Sequence, residues 1–323
     1  MLREPHAVQI ANLPLSKVAN SSLARRAKSP LAPLAQANKN TRDSANFSQP
    51  LWLGDSSVAK KTILLHAEQG LGDTLMACRY VPMVAALGAS VILEVQPPLA
   101  SLLKCLEGVT KLVARGDEIS DFDIHCPLMS LPLAFKIRLD RIPAKVPYLT
   151  VPKEKIAQWR SRLGESGFKI GVAWAGSPGF VDDRDRSIQL KNILSVFSVC
   201  GARYFSIQKD LREGDREILN AHPQIVQLGN EIKDFQDTAA IMMSLDLIIS
   251  SDTSIVNLAG ALARPVWVLL SFNPDWRWLL DRNDSPWYPT ARLFRQTKTG
   301  QWETVVGEVC AQLGKDLVSR AIQ

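Results

Sequence analysis

Short apolar runs alternate with helical stretches in the first half of the chain. The run TILLH at residues 62–66 predicts a buried strand, the glycine-rich QGLG at 69–72 predicts a tight turn, and residues 73–87 predict a helix. The cycle continues with strands at 90–95, 111–114 and 122–126 and a helix at 98–107. Such alternation is typical of parallel β-α-β units.

A second alternating series follows a proline-rich break. Pro143, Pro147 and Pro152 interrupt the pattern, and a helix predicted at 153–163 leads out of the break. Strands are then predicted at 169–174, 203–207, 224–228, 245–250 and 265–270, with helices at 190–200, 234–244 and 254–262. We therefore predict domains at residues 51–150 and 169–323, joined by a linker and helix at 151–168. This is α/β architecture with two doubly wound, Rossmann-like domains.

The basic charge is concentrated near the N-terminus. Residues 1–50 are rich in Ala, Ser, Asn and Pro, so we predict a poorly ordered basic leader, with a transit peptide as a compositional alternative. Residues 1–42 hold seven basic side chains against one acidic side chain, which accounts for the net charge of +6. A neutral remainder argues against binding to nucleic acid, which requires clustered Lys and Arg.

Cysteine usage and hydropathy narrow the class of protein further. The five cysteines are widely spaced with no C-x-x-C pair, which favours small buried side chains in a reducing compartment. No apolar run reaches the roughly 18 residues that a membrane span requires. We expect a cytoplasmic protein with no transmembrane segment, and peripheral membrane contact stays open.

The loop after the first predicted strand carries the first candidate chemistry. In parallel sheets, ligands bind beyond the carboxyl ends of the strands. Gly70 and Gly72 let the backbone turn sharply beside Gln69, and Asp73 is placed at a helix N-terminus. Asp73 there is either a base or simply a helix cap, and the spacing leaves both roles open.

Loops after later strands offer groups for a diphosphate. Thr253 and Ser254 begin a predicted helix, whose free N–H groups favour an anion, although a structural cap is equally consistent. Arg186 offers a fork of donors from the loop after Trp174. Gln208 and Lys209 follow the next strand at the same end of the sheet.

Four other features are weaker candidates for chemistry. The D-x-D triplets at 121–123 and 183–185 could hold Mg²⁺ or Mn²⁺, but three-residue matches are unspecific and we expect no metal. The G-x-G at 70–72 does not complete a dinucleotide fingerprint, so an NAD-type dehydrogenase is an alternative only. His66, His125 and His222 have no triad or metal spacing, and the Trp-rich block 274–289 is either a sugar contact or packing.

An ordered set of motifs resembles a known family. The set comprises LHAEQGLGDTL at 65–75, LEVQPPL at 93–99, PLMSLP at 127–132, VAWAGS at 172–177, DRDRS at 183–187, DTS at 252–254 and DWRW at 275–278. Over about residues 48–312 the chain resembles the bacterial glycosyltransferase domain often found behind tetratricopeptide repeats. That domain is similar to family 9 heptosyltransferases and, more distantly, to O-linked N-acetylglucosamine transferases.

The resemblance implies a GT-B fold with an acceptor-side N-terminal domain and a donor-side C-terminal domain facing a central cleft. It implies an inverting transfer without metal or other cofactor, from a UDP-, ADP- or GDP-sugar to a glycan, lipopolysaccharide-core, lipid-linked or protein hydroxyl. Asp73 would be the catalytic base, beside an acceptor loop of Gln69, Gly70 and Gly72. The implied donor-binding residues are Trp174, Gly176, Arg186, Gln208, Lys209, Asp252, Thr253, Ser254 and Asn257.

Two features depart from the family pattern. Asn257 stands where family members usually have a histidine, and an amide carries no charge near neutral pH. Family members usually carry repeats before the domain, and here a basic leader is expected at that position instead. These departures motivate the alternative that the chain is a nucleotide-sugar-binding module without turnover.

Overall fold

The computed structural model describes residues 47–179 and 183–321, so the predicted leader lies almost wholly outside the described residues. The chain forms two compact units. The first ends at Thr150 and also includes Asp275–Arg277, and the second comprises Val151–Pro274 and the chain from Trp278 onward.

A four-stranded parallel sheet forms the centre of the first unit, in the order β3-β2-β1-β4. Its strands are β1 (Thr62–His66), β2 (Ser90–Val95), β3 (Val109–Ala114) and β4 (Ile124–Pro127). The helices are α1 (Leu71–Ala77), α2 (Val81–Ala86), α3 (Pro97–Leu103) and α4 (Leu131–Ala134). The central strand β1 pairs in parallel with both β2 and β4, and Ile63, Leu64 and Leu65 are fully buried.

The second unit contains a six-stranded parallel sheet in the order β10-β9-β8-β5-β6-β7. Its strands are β5 (Phe168–Ala173), β6 (Ala202–Ser206), β7 (Ile225–Gln227), β8 (Leu247–Ser251), β9 (Val266–Leu270) and β10 (Ala291–Arg295). The helices are α5 (Lys153–Leu163), α6 (Asp183–Arg186), α7 (Leu190–Ile193), α8 (Asp215–Asn220), α9 (Phe235–Met243), α10 (Ser254–Ala261) and α11 (Trp302–Ala321).

Burial on both faces explains why the central strands of the second sheet are apolar throughout. All five residues of β8 and all five of β9 are buried. Parallel sheets covered by helices on both faces have near-continuous hydrophobic strands, so the short apolar runs in the sequence predict these strands. The predicted α/β class with two parallel sheets is confirmed.

Several predicted elements differ in their boundaries. The helix predicted at 73–87 is divided into α1, a 3₁₀ turn at Cys78–Tyr80 and α2, which has Pro82 in its first turn. The helix predicted at 190–200 is α7 followed by a 3₁₀ turn at Leu194–Ser198. The prediction of a strand from residue 122 is wrong by two residues, because Asp123 instead accepts the backbone N–H of Thr62 at 2.7 Å.

The expectation of buried cysteine side chains holds for only two of the five. All five cysteines are free; Cys78 and Cys126 are buried, Cys310 is partly buried, and Cys105 and Cys200 are exposed. Within residues 47–179 and 183–321, no helix has both the length and the apolar character needed to cross a membrane.

Candidate functional sites

Asp73 lies in the first turn of α1, which follows the turn after β1 at the carboxyl end of the first sheet. It is the third residue of α1, and its Oδ2 accepts the backbone N–H of Gly70 at 3.0 Å. A Cβ on residue 70 would lie 3.2 Å from that oxygen, so a glycine allows the carboxylate to approach closely. Asp73 therefore does cap the helix, and this leaves Oδ1 for another role.

Residues after β2 hold the same turn from one side. The amide of Gln96 donates to the carbonyl of Gln69 at 2.7 Å, and Thr74 Oγ1 donates to Gln96 Oε1 at 3.0 Å. Arg115 pairs with Glu94 and donates to the carbonyl of Ala67. The turn is thus held by Gln96, which follows β2, and by Arg115, which follows β3. Gln69 takes part in this network through its backbone carbonyl.

Arg277 forms an ion pair with Asp73 Oδ1. The arginine belongs to Asp275–Arg277, the short segment that packs with the first unit. Its side chain is 8% exposed and that of Asp73 is 18% exposed, so the pair is largely shielded from solvent. Sequence reasoning missed Arg277: the DWRW motif at 275–278 contributes to the family resemblance and its rings suggest a sugar contact, but neither points to the arginine.

Glu68 is a second carboxyl group in this turn that sequence reasoning missed. Its Oε1 accepts the backbone N–H of Met129 at 3.0 Å, while its buried Oε2 has no hydrogen-bond partner among the described residues. Burial raises the pKa of Glu68 to about 7, and the negative charge of Asp73 adds to this, against the lowering effect of backbone N–H groups. Near neutral pH, Glu68 can therefore hold or release a proton.

The raised pKa of Glu68 predicts a pH-dependent stability. The folded-state pKa lies above the ordinary value of 4.5, so the free energy of unfolding falls as pH rises from about 4.5 to about 7 and then stays at the lower level. Glu68→Gln removes this cost and should stabilise the protein by up to about 3 kcal/mol at pH 8, with little effect at pH 4.5. Urea unfolding of parent and variant across this pH range measures the difference.

A matched control separates this effect from a general charge effect. Glu107→Gln removes one negative charge at an exposed position of the same unit. A stability gain for Glu68→Gln that does not grow with pH, or that Glu107→Gln reproduces, would contradict the buried-carboxyl explanation.

His66 and His125 form a packed pair in the first unit. Their rings contact through Nε2 and Nδ1 at 3.2 Å, and Phe47 packs edge-on against His66. Burial lowers the pKa of His66 to about 4, with smaller contributions from His125 and Arg115. Burial also lowers the pKa of His125.

The N-terminus of α10 is the predicted anion site of the second unit. Thr253 is its N-cap, and its Oγ1 accepts the N–H of Ile255 at 3.3 Å and contacts Ser250 Oγ at 3.3 Å. Asp252 and Thr253 are buried, whereas Ser254 is partly exposed at the helix start. Ser254 is therefore accessible to a ligand at the helix start. With eight residues, α10 is long enough for its helix dipole to favour an anion at this end.

Gln208 joins two loops at the carboxyl end of the second sheet. Its Oε1 accepts the backbone N–H groups of Trp174 and Ala175, both at 3.0 Å, and its Nε2 donates to the carbonyl of Ala175 at 2.9 Å. The Trp174 indole, fully buried, donates to Asp215 at 2.9 Å. These contacts fix the loop after β5, and direct donor binding by Gln208 or Trp174 stays a prediction.

The loop after β5 is organised around Asp183. Ser187 Oγ accepts the Gly176 N–H at 3.0 Å and donates to Asp183 Oδ1 at 2.8 Å. Arg212 pairs with Asp183, and Arg186 Nε lies 3.8 Å from the same carboxylate. A Cβ on Gly176 would lie 2.8 Å from the Arg186 guanidinium, so a larger residue there would push that side chain aside. Sequence reasoning missed Arg212.

Lys209 and Asn257 have partners within the fold. Lys209 Nζ donates to the carbonyls of Ile232 and Lys233, at 2.7 and 3.0 Å. Asn257 is buried, donates to Thr253 O at 3.3 Å and accepts the Tyr288 hydroxyl at 3.0 Å. Asn257 thus buttresses the N-terminal turn of α10 from inside, and contact of either residue with a donor stays a prediction.

Neither D-x-D triplet forms a cluster of metal-binding groups. In the described part of the chain, no group of three or more His, Cys, Asp or Glu side chains is arranged to hold a metal ion. Asp123 and Asp183 use their carboxylates in the contacts given above. Metal independence itself stays a prediction.

Comparisons with known proteins identify a relative by sequence and solved structures with a similar fold. No protein-family model matches the chain. Protein FlbA of Caulobacter vibrioides is 26% identical over 300 residues, covering 84% of this chain and 49% of FlbA. The chain therefore spans about half the length of this curated relative.

Solved glycosyltransferases share the architecture. Escherichia coli ADP-heptose LPS heptosyltransferase II has a TM-score of 0.59 at 14% identity, covering 80% of this chain and 99% of that one. A family 9 glycosyltransferase from Veillonella parvula has a TM-score of 0.58 at 10% identity, covering 82% and 99%. The iron-containing dodecameric glycosyltransferase TibC of enterotoxigenic E. coli has a TM-score of 0.52 at 11% identity, covering 83% and 78%.

These similarities confirm the predicted GT-B fold class and the structural resemblance to family 9 glycosyltransferases. At such low identities they show the fold alone, because one fold hosts many functions.

Proposed function

We propose that this chain is an inverting, metal-independent glycosyltransferase that moves a sugar from a nucleotide-sugar donor to a hydroxyl acceptor. The observation that carries the proposal is the placement of Asp73 at the carboxyl end of the first sheet. Its carboxylate is held by the Gly70 N–H and by Arg277 rather than being a freely solvated surface group. A fixed carboxylate in a ligand-binding loop is what a general base requires.

The proposed reaction assigns one role to each unit. Asp73 accepts the proton of the acceptor hydroxyl as its oxygen bonds to the anomeric carbon of the donor sugar. The bond from that carbon to the diphosphate breaks, and the nucleoside diphosphate leaves with the electron pair. The N-terminus of α10, with Thr253 and Ser254, stabilises the departing negative charge through backbone N–H groups and the helix dipole.

An ADP-sugar is the first donor to test. TibC has been solved with ADP-D-β-D-heptose, and its architecture is shared by this chain. The acceptor classes are those of the sequence analysis: a glycan, a lipid-linked or lipopolysaccharide core, or a protein. This chain matches only about half of FlbA, so the proposal does not depend on the activity of FlbA as a whole.

Nucleotide binding is the first measurable expectation. ADP at about 100 times its dissociation constant should stabilise the protein by about 2.7 kcal/mol, which a thermal-shift assay detects. UDP and GDP serve as base controls, and NAD tests the dehydrogenase alternative. No shift with any nucleoside diphosphate would contradict a donor site in the second unit.

Turnover then separates an enzyme from a binding module. The expected result is release of ADP from an ADP-sugar when an acceptor is supplied, unchanged by EDTA, with an inverted anomeric configuration by NMR. Binding of ADP-sugars without transfer to any acceptor class, and without donor hydrolysis, would instead support the binding-module alternative. Loss of transfer in EDTA that a divalent metal restores would contradict metal independence.

A further inference from the structure

We propose that Arg277 is a positioning residue that fixes the carboxylate of Asp73 for proton removal. The inference rests on the proposed function and adds to it a residue far away in the sequence. Both oxygens of Asp73 have assigned donors: Oδ2 accepts the Gly70 N–H and Oδ1 pairs with Arg277. Two anchors on one carboxylate fix its rotation as well as its position.

Arg277 is itself held in place by its neighbours in the segment. Its Nε lies 3.1 Å from Asp275 Oδ1, and its backbone N–H donates to the same oxygen at 3.1 Å. The guanidinium also lies over the Trp276 ring, 5.6 Å from the centroid. The planar fork of an arginine can serve Asp275 and Asp73 at once, which a lysine ammonium on a flexible stem does less well.

The charge balance of the turn supports a role beyond packing. Asp73 and Glu68 are neighbouring acids, and the negative charge of Asp73 contributes to the raised pKa of Glu68. Arg277 supplies a positive charge against Asp73 in a largely buried environment, where an ion pair is screened only weakly by salt. Without Arg277, Asp73 would keep its helix-capping contact but lose the partner that sets the direction of Oδ1.

The experiment compares Arg277→Gln and Arg277→Lys in the full chain, with an ADP-sugar and the acceptor that the parent uses. Arg277→Gln should lower kcat by about 100-fold, because small misplacements of a catalytic group cost about this much. Arg277→Lys should recover part of the loss. The dissociation constant of ADP should stay within about threefold in both, since Arg277 acts through Asp73 and not through the donor.

A double-variant cycle supplies a readout that a merely structural role would not give. If Arg277 acts through Asp73, then Arg277→Gln should have almost no further effect on the residual kcat in the Asp73→Asn background. Equal fold-losses in the two backgrounds would overturn the proposal. Arg282→Gln is the matched control, because Arg282 lies in the same Trp-rich block but pairs with the exposed Asp284.

The outcomes distinguish this inference from the proposed function. If the unsubstituted protein shows no sugar transfer, both the proposed function and the positioning role of Arg277 are wrong. An active parent with an Arg277→Gln variant that retains its kcat overturns only the inference. The inference is also overturned if both Arg277 variants lose activity only because they lose folded protein, as measured by the unfolding temperature. Recovery of kcat when guanidinium is added to folded Arg277→Gln would support the inference.

Discussion

Asp73→Asn is expected to reduce kcat for sugar transfer by roughly 10³-fold, since a general base contributes about 10²- to 10⁴-fold. Asparagine has nearly the same shape, and its side-chain oxygen can still accept the Gly70 N–H that now reaches Oδ2 at 3.0 Å. The helix cap therefore survives while the proton acceptor is lost. Steady-state transfer kinetics, with ADP binding measured in parallel, should show a lower kcat and an almost unchanged ADP affinity.

Two controls make this result specific. Asp123→Asn is the same substitution in the same unit, at an exposed carboxylate that accepts the Thr62 N–H at 2.7 Å, and it should leave kcat within about twofold. Glu68→Gln tests the neighbouring carboxyl group. If Asp73→Asn kept more than a tenth of the parental kcat while Glu68→Gln lost most of it, Glu68 would be the base and the assignment to Asp73 would be wrong.

The sequence predicted the strands and the loops that follow them because these depend on local pattern. The bounds of β1 and β2 agree with the runs at 62–66 and 90–95, and helix α5 agrees with residues 153–163. Buried parallel strands are continuous apolar runs, and a tight glycine-containing turn after a strand is a local signal. The placement of Asp73 at a helix start followed from the same signals.

Features that depend on contacts between distant residues could not be read in this way. The pairing of Arg277 with Asp73 joins positions 204 residues apart. Gln208 looked available for a donor, but its amide is occupied by the backbone of the loop after β5. No element is predicted beyond residue 270, where the structure has the last strand β10 and the 20-residue α11. An available side chain and an occupied one look the same in a sequence.

The contact between Gly260 and Tyr288 gives the second large expected effect. A Cβ at residue 260 would lie 2.3 Å from Cδ1 of the Tyr288 ring, and that ring is fully buried. The ring cannot withdraw without losing the hydrogen bond from its hydroxyl to Asn257 at 3.0 Å. Gly260→Ala should therefore destabilise the second unit by roughly 2 to 3 kcal/mol, as overpacked cores do, measured by the urea midpoint of unfolding.

Gly307→Ala is a matched control for that substitution. Gly307 lies inside α11, and a Cβ there would meet nothing within 4 Å. Alanine is favoured over glycine in a helix by about 1 kcal/mol, so this variant should be slightly more stable than the parent. Opposite signs for the same chemical change would show that the close approach to Tyr288, and not helix propensity, determines the result at residue 260.

The same clash should weaken nucleotide binding. Thr253 is the N-cap of α10 and Asn257 lies in its first turns, whereas Gly260 lies near its C-terminal end. Asn257 links Tyr288, which Gly260 contacts, to the Thr253 carbonyl at the helix start. Pushing Tyr288 away therefore disturbs the end of α10 that is proposed to hold the diphosphate. Gly260→Ala should raise the dissociation constant of ADP under conditions where the variant is still folded, whereas Gly307→Ala should not. Unchanged ADP affinity in folded Gly260→Ala would place the diphosphate elsewhere in the second unit.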